Sequence, residues 1–377
     1  MLMKKKILYA ASVFLHFRAF HKPFMKDLME KGYEVYAVAN DTDGSKKELE
    51  EMGVKCFSVF FERSPLNRSN LKAISSLKRI FKNNYFDLIH VHTPVAAFIV
   101  RYLAYFNKQG RVLYTAHGFH FYKGAPKRNW ILYFGAEKLA KRWTDSIIVM
   151  NTEDFFNAKK LGYKEGVSLF LTHGVGIDVE NFYAGLNNKR SLKEELNLNS
   201  DSLIVTIVAE LNHNKNQMFM LKSWKRILER QPGAHLIIVG EGSNENELKK
   251  FVKDESLSNT HFLGYRKDVS NILINSDVVC LLSYREGLPR ILMEAMAGSK
   301  PLIGTNIRGI NDLIKNNING FLVTPNNNVE LVKSVVTLLG NEQLRREFGN
   351  QSKSIIQDYD ISVVKKELGA IYNKLLN

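Results

Sequence analysis

The stretch Ser283-Tyr284-Arg285-Glu286-Gly287-Leu288-Pro289-Arg290-Ile291-Leu292-Met293-Glu294-Ala295-Met296-Ala297 decides how this 377-residue chain reads. It follows the apolar run Asp277 to Leu282, which has the continuous character of a strand buried on both faces. Gly287 falls where backbone must approach closely, and Pro289 marks the point where a helix starts. A helix start directly after a strand and loop presents unpaired N–H groups and the positive end of a helix dipole, a local field that suits a diphosphate. Arg290 adds a full charge there. Glu294 then lies in a helix that is apolar nearly all round, where an unpaired carboxylate is costly. It needs a polar partner. A vicinal diol such as a ribose can donate two hydrogen bonds to one carboxylate, and Glu286, in the loop before the helix, can reach a different group on the same ligand. A capped, ion-paired helix in a core fits the same residues.

Working outward, β-rich runs alternate with helical stretches along the whole chain. Strands read at Ile7 to Val13, Tyr33 to Ala39, Val54 to Phe60, Leu88 to His92, Arg111 to Ala116, Ser146 to Met150 and Leu169 to Thr172, with an early helix near Lys22 to Lys31. After a polar stretch, Asn181 to Ser202, the pattern restarts. Its core, Asn187-Asn188-Lys189-Arg190, looks like a connection between domains. The second set of strands is Leu203 to Ala209, His235 to Val239, Thr260 to Leu263, Asp277 to Leu282, Pro301 to Gly304 and Gly320 to Val323. Strand and helix in alternation, with continuously apolar strands, means parallel sheets covered on both faces. The expected fold class is therefore α/β, with two doubly wound Rossmann-like domains, residues 1–185 and 186–377, facing across a cleft that receives ligands beyond the strand ends. The final helical run, about 361–377, fits either domain.

Composition narrows the class further. A hydrophobic content of 45% is that of a soluble globular protein and rules out stapled mini-scaffolds and disordered chains. The net charge is +15, and it is uneven: residues 1–185 carry 28 basic against 17 acidic side chains, residues 186–377 only 25 against 21. Such an excess favours anionic partners. Cys56 and Cys280 stand alone in strand-like runs, which indicates a reducing compartment without disulfides or a zinc ribbon. Lys4-Lys5-Lys6 followed by Ile7 to Leu15 imitates a secretion signal but runs into His16, Phe17 and Arg18 without a small-residue cleavage site, so it reads as a first buried strand. The span Leu88 to Phe106 contains His90, His92 and Arg101 and is too polar to cross a membrane.

The acids Glu286 and Glu294 resemble the E-x7-E signature of retaining glycosyltransferases of the two-Rossmann GT-B architecture, specifically family 4 (glycosyltransferase group 1). The resemblance extends over nearly the whole chain, through Leu263-Gly264-Tyr265-Arg266-Lys267-Asp268-Val269, Ile274-Asn275-Ser276-Asp277-Val278, Gly298 to Thr305 and Asn319-Gly320-Phe321-Leu322-Val323. His117-Gly118-Phe119-His120-Phe121-Tyr122 and Asn151-Thr152-Glu153-Asp154 look like the branch that builds capsules and exopolysaccharides. The resemblance implies that Glu286 binds donor-sugar hydroxyls and Glu294 the nucleotide ribose. It implies that the backbone around Gly287 and Leu288 holds the diphosphate and that Gly264, Tyr265 and Arg266 lie beside the base. His117 matches the family's active-site histidine, and the residue by itself also fits a hydrogen-bonded histidine at a strand end; His120 is a second candidate there.

One departure bears on the chemistry. The family usually carries Gly-Arg-Leu and then Lys after the first strand of the second domain. Here the segment is Ala209-Glu210-Leu211-Asn212-His213-Asn214-Lys215, so Lys215 matches and an acid replaces the arginine. A carboxylate aimed at a diphosphate would repel it, so Glu210 must point elsewhere or pair with a cation, and Arg290 is the candidate for the missing charge. Preorganised N–H groups with Lys215 and Arg290 can stabilise a departing diphosphate without a metal, and no metal or other cofactor is expected. Asp41-Thr42-Asp43 imitates a metal-binding D-x-D but reads as an ordinary loop before Gly44. His90 and His92 share a strand face and suggest zinc, yet no third ligand stands at metal spacing, so they read as core or acceptor-side histidines.

The basic first half has two further features. Residues 63–86 contain no acid, while Arg63, Arg68, Lys72, Lys78, Arg79 and Lys82 alternate with Leu71, Ile74, Leu77 and Phe81 at helical spacing. Segment 121–143 mixes Lys123, Lys127, Arg128, Lys141 and Arg142 with Tyr122, Trp130 and Trp143. Both suit an anionic bilayer surface, and solvated helix faces would look similar. No nucleic-acid reader motif accompanies the charge. The reading is a cytoplasmic glycosyltransferase, peripheral on the inner face of the cell membrane. It moves a hexose or N-acetylhexosamine from a nucleotide sugar, UDP-linked by the branch resemblance, to a lipid-linked glycan acceptor. A sugar-nucleotide 2-epimerase of the same fold, or a non-catalytic nucleotide-sugar-binding subunit, are the alternatives.

Overall fold

The computed structural model describes residues 4–62, 64, 67–183 and 191–377. Among these, seven strands form the first sheet: β1 (Lys6–Val13), β2 (Glu34–Asn40), β3 (Lys55–Ser58), β4 (Leu88–Val91), β5 (Arg111–Ala116), β6 (Ser146–Val149) and β7 (Leu169–Leu171). Six form the second: β8 (Leu203–Val208), β9 (Ala234–Val239), β10 (Thr260–Phe262), β11 (Val278–Leu281), β12 (Leu302–Thr305) and β13 (Gly320–Val323). Every pairing is parallel, in the orders β3-β2-β1-β4-β5-β6-β7 and β10-β9-β8-β11-β12-β13. Both orders reverse beside the first strand of the sheet. Loops leaving β1 and β4, or β8 and β11, therefore diverge to opposite faces and leave a crevice at their carboxyl ends, where open α/β sheets take ligands.

Burial explains why these segments pair. Ile7, Leu8, Tyr9 and Ala10 on β1, and Val279, Cys280 and Leu281 on β11, are completely or almost completely buried because helices cover both faces of each sheet. The long span expected not to cross a membrane breaks into β4 and the helix Pro94–Phe106, and no helix among the described residues is long and apolar enough to cross one.

The chain divides into two compact units, residues 1–175 with 362–377, and residues 176–361. The boundary lies ten residues earlier than position 185, because the segment after Gly176 is bonded into the second unit: Ile177 N donates to Tyr359 O, and the Tyr183 hydroxyl donates to Ala297 O at 3.1 Å. Asn187 to Arg190, read as the connection, lie outside the described residues. The last helix, Ile361–Leu376, belongs to the first unit, where the Tyr372 hydroxyl shares hydrogen bonds with Tyr9 at 2.6 Å and His90 Nδ1 at 2.7 Å.

The basic segment 63–82 supplies residues to the core as well as exposed cations. Arg63 lies outside the described residues. The helix Asn70–Asn83 turns Ala73, Leu77 and Phe81 into the unit's own core, so its apolar stripe is already covered, and Lys72, Lys78, Arg79 and Lys82 face outward with Leu71, Ser75 and Asn83. In segment 121–143, by contrast, Phe121 is buried and Trp130 packs on it, while Ile131 and Leu132 are 75% and 65% exposed beside exposed Lys127, Arg128 and Arg142.

Candidate active site

Three loops in the second unit converge at the carboxyl ends of β8, β11 and β12. The β8 loop ends in a single turn, His213–Lys215, capped by the Asn212 side chain, which accepts from Lys215 N at 3.1 Å. It is tied to the β11 loop by Tyr284 N donating to Asn214 O at 2.8 Å and Asn214 Nδ2 donating to Arg285 O at 3.0 Å. The β12 loop supplies Arg308, only 5% exposed, whose Nε donates to Glu286 O at 3.0 Å. Gly309, at φ +78°, lies so close to Gly287 that a Cβ there would be 2.1 Å from Gly287 O. Thr305 Oγ1 donates to Ser283 O at 2.6 Å and fixes the start of the β11 loop.

These loops bring the charged residues together in two pairs. Lys215 Nζ lies 2.6 Å from Glu286 Oε1, with both side chains largely buried. One turn into the helix Arg290–Ala297, Arg290 Nε donates to Glu294 Oε1 at 2.9 Å, in the i,i+4 relation that puts them on one face. The polar partner that Glu294 requires in an apolar helix is thus supplied within the helix. Burial raises the Glu294 pKa, and Arg290 opposes that rise. Both side chains keep solvent access, so a ligand can compete for them.

Glu210 is exposed and makes no ion pair among the described residues; only its backbone carbonyl is engaged, by Gln217 Nε2 at 2.9 Å. Its carboxylate avoids the cation cluster rather than pairing within it. Leu288 packs into the core below the helix start. Gly264, at φ +62°, accepts from Gly240 N at 2.8 Å, and Tyr265 beside it is 68% exposed. Arg266 is committed elsewhere: its Nε donates to Asp268 Oδ1 at 2.8 Å and its Nη atoms reach Glu195 and Asp268, so it braces the loop rather than offering a free guanidinium.

In the first unit His117 follows β5 and meets His92 at the end of β4, with His92 Nδ1 3.3 Å from His117 Nε2. No third ligand stood at metal spacing beside His90 and His92 in the sequence, yet His16 and His21 join His92 and His117, and one ring nitrogen from each of these four lies within 4.8 Å of the others. His90 is outside the group, because its Nε2 and Nδ1 are taken by Thr115 and Tyr372. Burial lowers His16 to about 4 and His90 to about 3, and holds His21, His92 and His117 well below the ordinary imidazole value, with neighbouring imidazoles adding to the effect. His120 stacks on Tyr133 with ring centroids 4.6 Å apart. Asp41 and Asp43 cap the following helix: Asp43 accepts from Ser45 and Asp41 from Lys46 N.

The model for "Glycosyl transferases group 1" matches residues 188–355, and that for "Glycosyl transferase 4-like" matches residues 6–151. The putative glycosyltransferase EpsD of Bacillus subtilis (strain 168) is 33% identical over 383 aligned residues, covering 100% of this chain and 98% of the relative. The chain belongs to the group 1 glycosyltransferases. A second relative of this glycosyltransferase, the UDP-Gal:alpha-D-GlcNAc-diphosphoundecaprenol alpha-1,3-galactosyltransferase of Escherichia coli, is 30% identical over 78% of this chain and 76% of its own length. Among solved structures, Anabaena HepE in complex with UDP and glucose shares the GT-B fold, with a TM-score of 0.80 and 18% identity over 98% of this chain and 100% of that one.

Arg308 is the member of the glycosyltransferase's loop cluster that sequence reasoning missed. It lies 22 residues beyond Glu286 in a segment without motif character, and only the β11–β12 pairing brings it back. The neighbouring Gly309 was the available signal, since glycine is the default residue where the chain needs a positive φ or a close backbone approach.

Proposed function

We propose that this glycosyltransferase moves a hexose or N-acetylhexosamine, with retention at the anomeric carbon, from a UDP-sugar to a lipid-linked glycan during cell-surface polysaccharide assembly. The observation that carries this reading is the meeting of Glu286 and Glu294 with Lys215, Arg290 and Arg308 at one helix start. Glu294 takes the ribose hydroxyls and Glu286 the hydroxyls of the donor sugar. Lys215, Arg290 and the backbone of Gly287 and Leu288 take the diphosphate, and Gly264 and Tyr265 flank the base. His117 stands near the reacting sugar. The acceptor oxygen bonds to the anomeric carbon on the face from which the diphosphate oxygen leaves, and that departing oxygen takes the acceptor's proton. Charge building on the diphosphate meets fixed cations and N–H dipoles, so the transfer itself uses no metal. The galactosyl transfer for which the Escherichia coli relative is named supports a diphospho-lipid acceptor and a UDP donor.

The same reading puts the protein on the inner face of the cell membrane, held peripherally through the exposed Ile131 and Leu132 and their flanking cations. A panel of UDP-, GDP- and ADP-sugars, offered with a short diphospho-lipid glycan, tests the transfer. A product linked to the lipid from a UDP-sugar, lost in Glu294→Gln, is the expected outcome. Isomerised nucleotide sugar without acceptor, or donor binding with no turnover on any acceptor, would overturn it.

A further inference from the structure

Four imidazoles in the first unit converge on one point at the crevice of the first sheet. His16 lies in the helix Phe14–Phe20 that follows β1, His21 links that helix to the next, His92 ends β4 and His117 ends β5. One ring nitrogen from each lies within 4.8 Å of the same atom of every other. His16 Nε2 and His21 Nε2 are 3.2 Å apart, and His92 Nδ1 and His117 Nε2 are 3.3 Å apart. Two nitrogens bound to a tetrahedral zinc at about 2.05 Å stand roughly 3.3 Å from each other.

Pairing among the rings does not satisfy them. The opposite nitrogens of two of these rings, His21 Nδ1 and His92 Nε2, are buried without a hydrogen-bond partner, in side chains only 3% and 1% exposed, so neither ring is anchored by a partner outside the cluster. A neutral imidazole keeps one lone pair for an acceptor role, and leaving a buried nitrogen unpaired costs on the order of 1–3 kcal/mol. Burial holds all four rings below the ordinary imidazole pKa, in the neutral form that a metal ligand needs. His90, whose two nitrogens are both bonded, shows how the same strand treats a histidine of purely structural use.

We propose that His16, His21, His92 and His117 form a binding site for one divalent transition-metal ion, with zinc as the occupant. The all-nitrogen set, without carboxylate or thiolate, suits borderline ions such as zinc, copper or nickel and not magnesium or calcium. Four neutral ligands leave the ion's charge uncompensated. His16 and His117 are the partly exposed members, so a counter-anion can approach from their side without entering the set of four nitrogens. Binding draws His117 into the coordination sphere, so loaded and metal-free protein present a different His117 to a substrate. The site lies in a different unit from the donor-binding residues and does not rest on their assignment.

The test uses the full chain, freed of any affinity tag, stripped with a chelator and titrated with Zn²⁺ against a zinc-binding dye. One equivalent per chain is expected, with a melting temperature that rises with zinc concentration. His21→Leu should weaken binding by at least ~100-fold, the upper end of what losing an outer-shell partner alone costs. His235→Ala/His261→Ala, which removes the other close pair, 3.0 Å apart, should change nothing. Co²⁺ in place of zinc should give visible absorption of tetrahedral intensity, a measurement on the wild-type chain that stands even if His21→Leu does not fold. Substoichiometric uptake, undiminished binding by His21→Leu, loss of binding in the His235/His261 variant, or a weak six-coordinate Co²⁺ spectrum would each overturn the proposal.

Discussion

Gly309→Ala perturbs the loop cluster without touching any charged group. A Cβ at this position would sit 2.1 Å from Gly287 O and 2.7 Å from its carbonyl carbon, and real Cβ contacts under 3.0 Å essentially never occur. The two backbones must therefore separate by about 1 Å, the shortfall against ordinary contact. Gly287 cannot move alone, because Glu286 O is bonded to Arg308, the residue before Gly309, and Glu286 itself grips Lys215. Placing alanine at φ +78° costs roughly 1–2 kcal/mol, and overpacking adds about 1–3. At ~2–4 °C per kcal/mol for a unit of this size, the melting temperature should fall by roughly 4–20 °C. A displacement of ~1 Å in a positioning loop should cost on the order of 10²-fold in turnover. Thermal melting and kcat with a UDP-sugar and diphospho-lipid acceptor are the assays. Gly135→Ala, in a helix with nothing within 4 Å of the added carbon, is the control and should be neutral or slightly stabilising. A Gly309→Ala enzyme that melts lower but keeps kcat within twofold of wild type would refute the claim that this loop positions Glu286.

Other expected outcomes follow from the same geometry. Glu294 holds its proton more tightly in the folded protein than in the unfolded chain, because burial raises its pKa. That contribution is complete below the ordinary value of 4.5 and is lost as pH rises through the raised one. Glu294→Gln should therefore match wild type in melting temperature at acid pH and exceed it near neutrality, even as it loses activity; a scan of melting against pH checks the crossing. Arg101, fully buried, donates to Glu137 at 2.8 and 3.1 Å and lies over Tyr114, so Arg101→Leu leaves a buried carboxylate unpaired and should cost about 3–5 kcal/mol in urea denaturation. Arg101→Leu/Glu137→Leu should recover most of that loss. Ile131→Ser/Leu132→Ser should weaken co-sedimentation with anionic vesicles several-fold without lowering the melting temperature, since both side chains are exposed.

Much of this was legible in the sequence because parallel strands covered on both faces must be continuously apolar. Every strand run read from the chain corresponds to a strand, with ends displaced by a residue or two. The first strand ends at Val13 as read, but the helix that starts at Phe14 was not foreseen, the earliest expected helix lying near Lys22 to Lys31. Aromatic-rich Phe14 to Phe20 has no cap signal, and with that helix unseen, His16 and His21 could not be brought to His92 and His117. The helix Asn70–Asn83 shows the converse. An amphipathic pattern shows that one face is buried but not against what, and here the unit's own core covers it while the cations stay exposed. Glu286 and Glu294 stood out because they bracket a helix start, one in the loop before it and one inside an apolar helix, and Lys215 because it matches the family's lysine. Arg308 and the brace on Arg266 depend on contacts with residues far along the chain, and periodicity carries no trace of them.

The most direct measurement of the central claim is a crystal structure of the protein soaked with UDP. The account predicts ribose hydroxyls within hydrogen-bond distance of Glu294 and a diphosphate against the Gly287–Leu288 backbone. It also predicts Lys215 drawn from its 2.6 Å contact with Glu286 toward the phosphate oxygens. UDP bound elsewhere, with Lys215–Glu286 and Arg290–Glu294 unchanged, would contradict it.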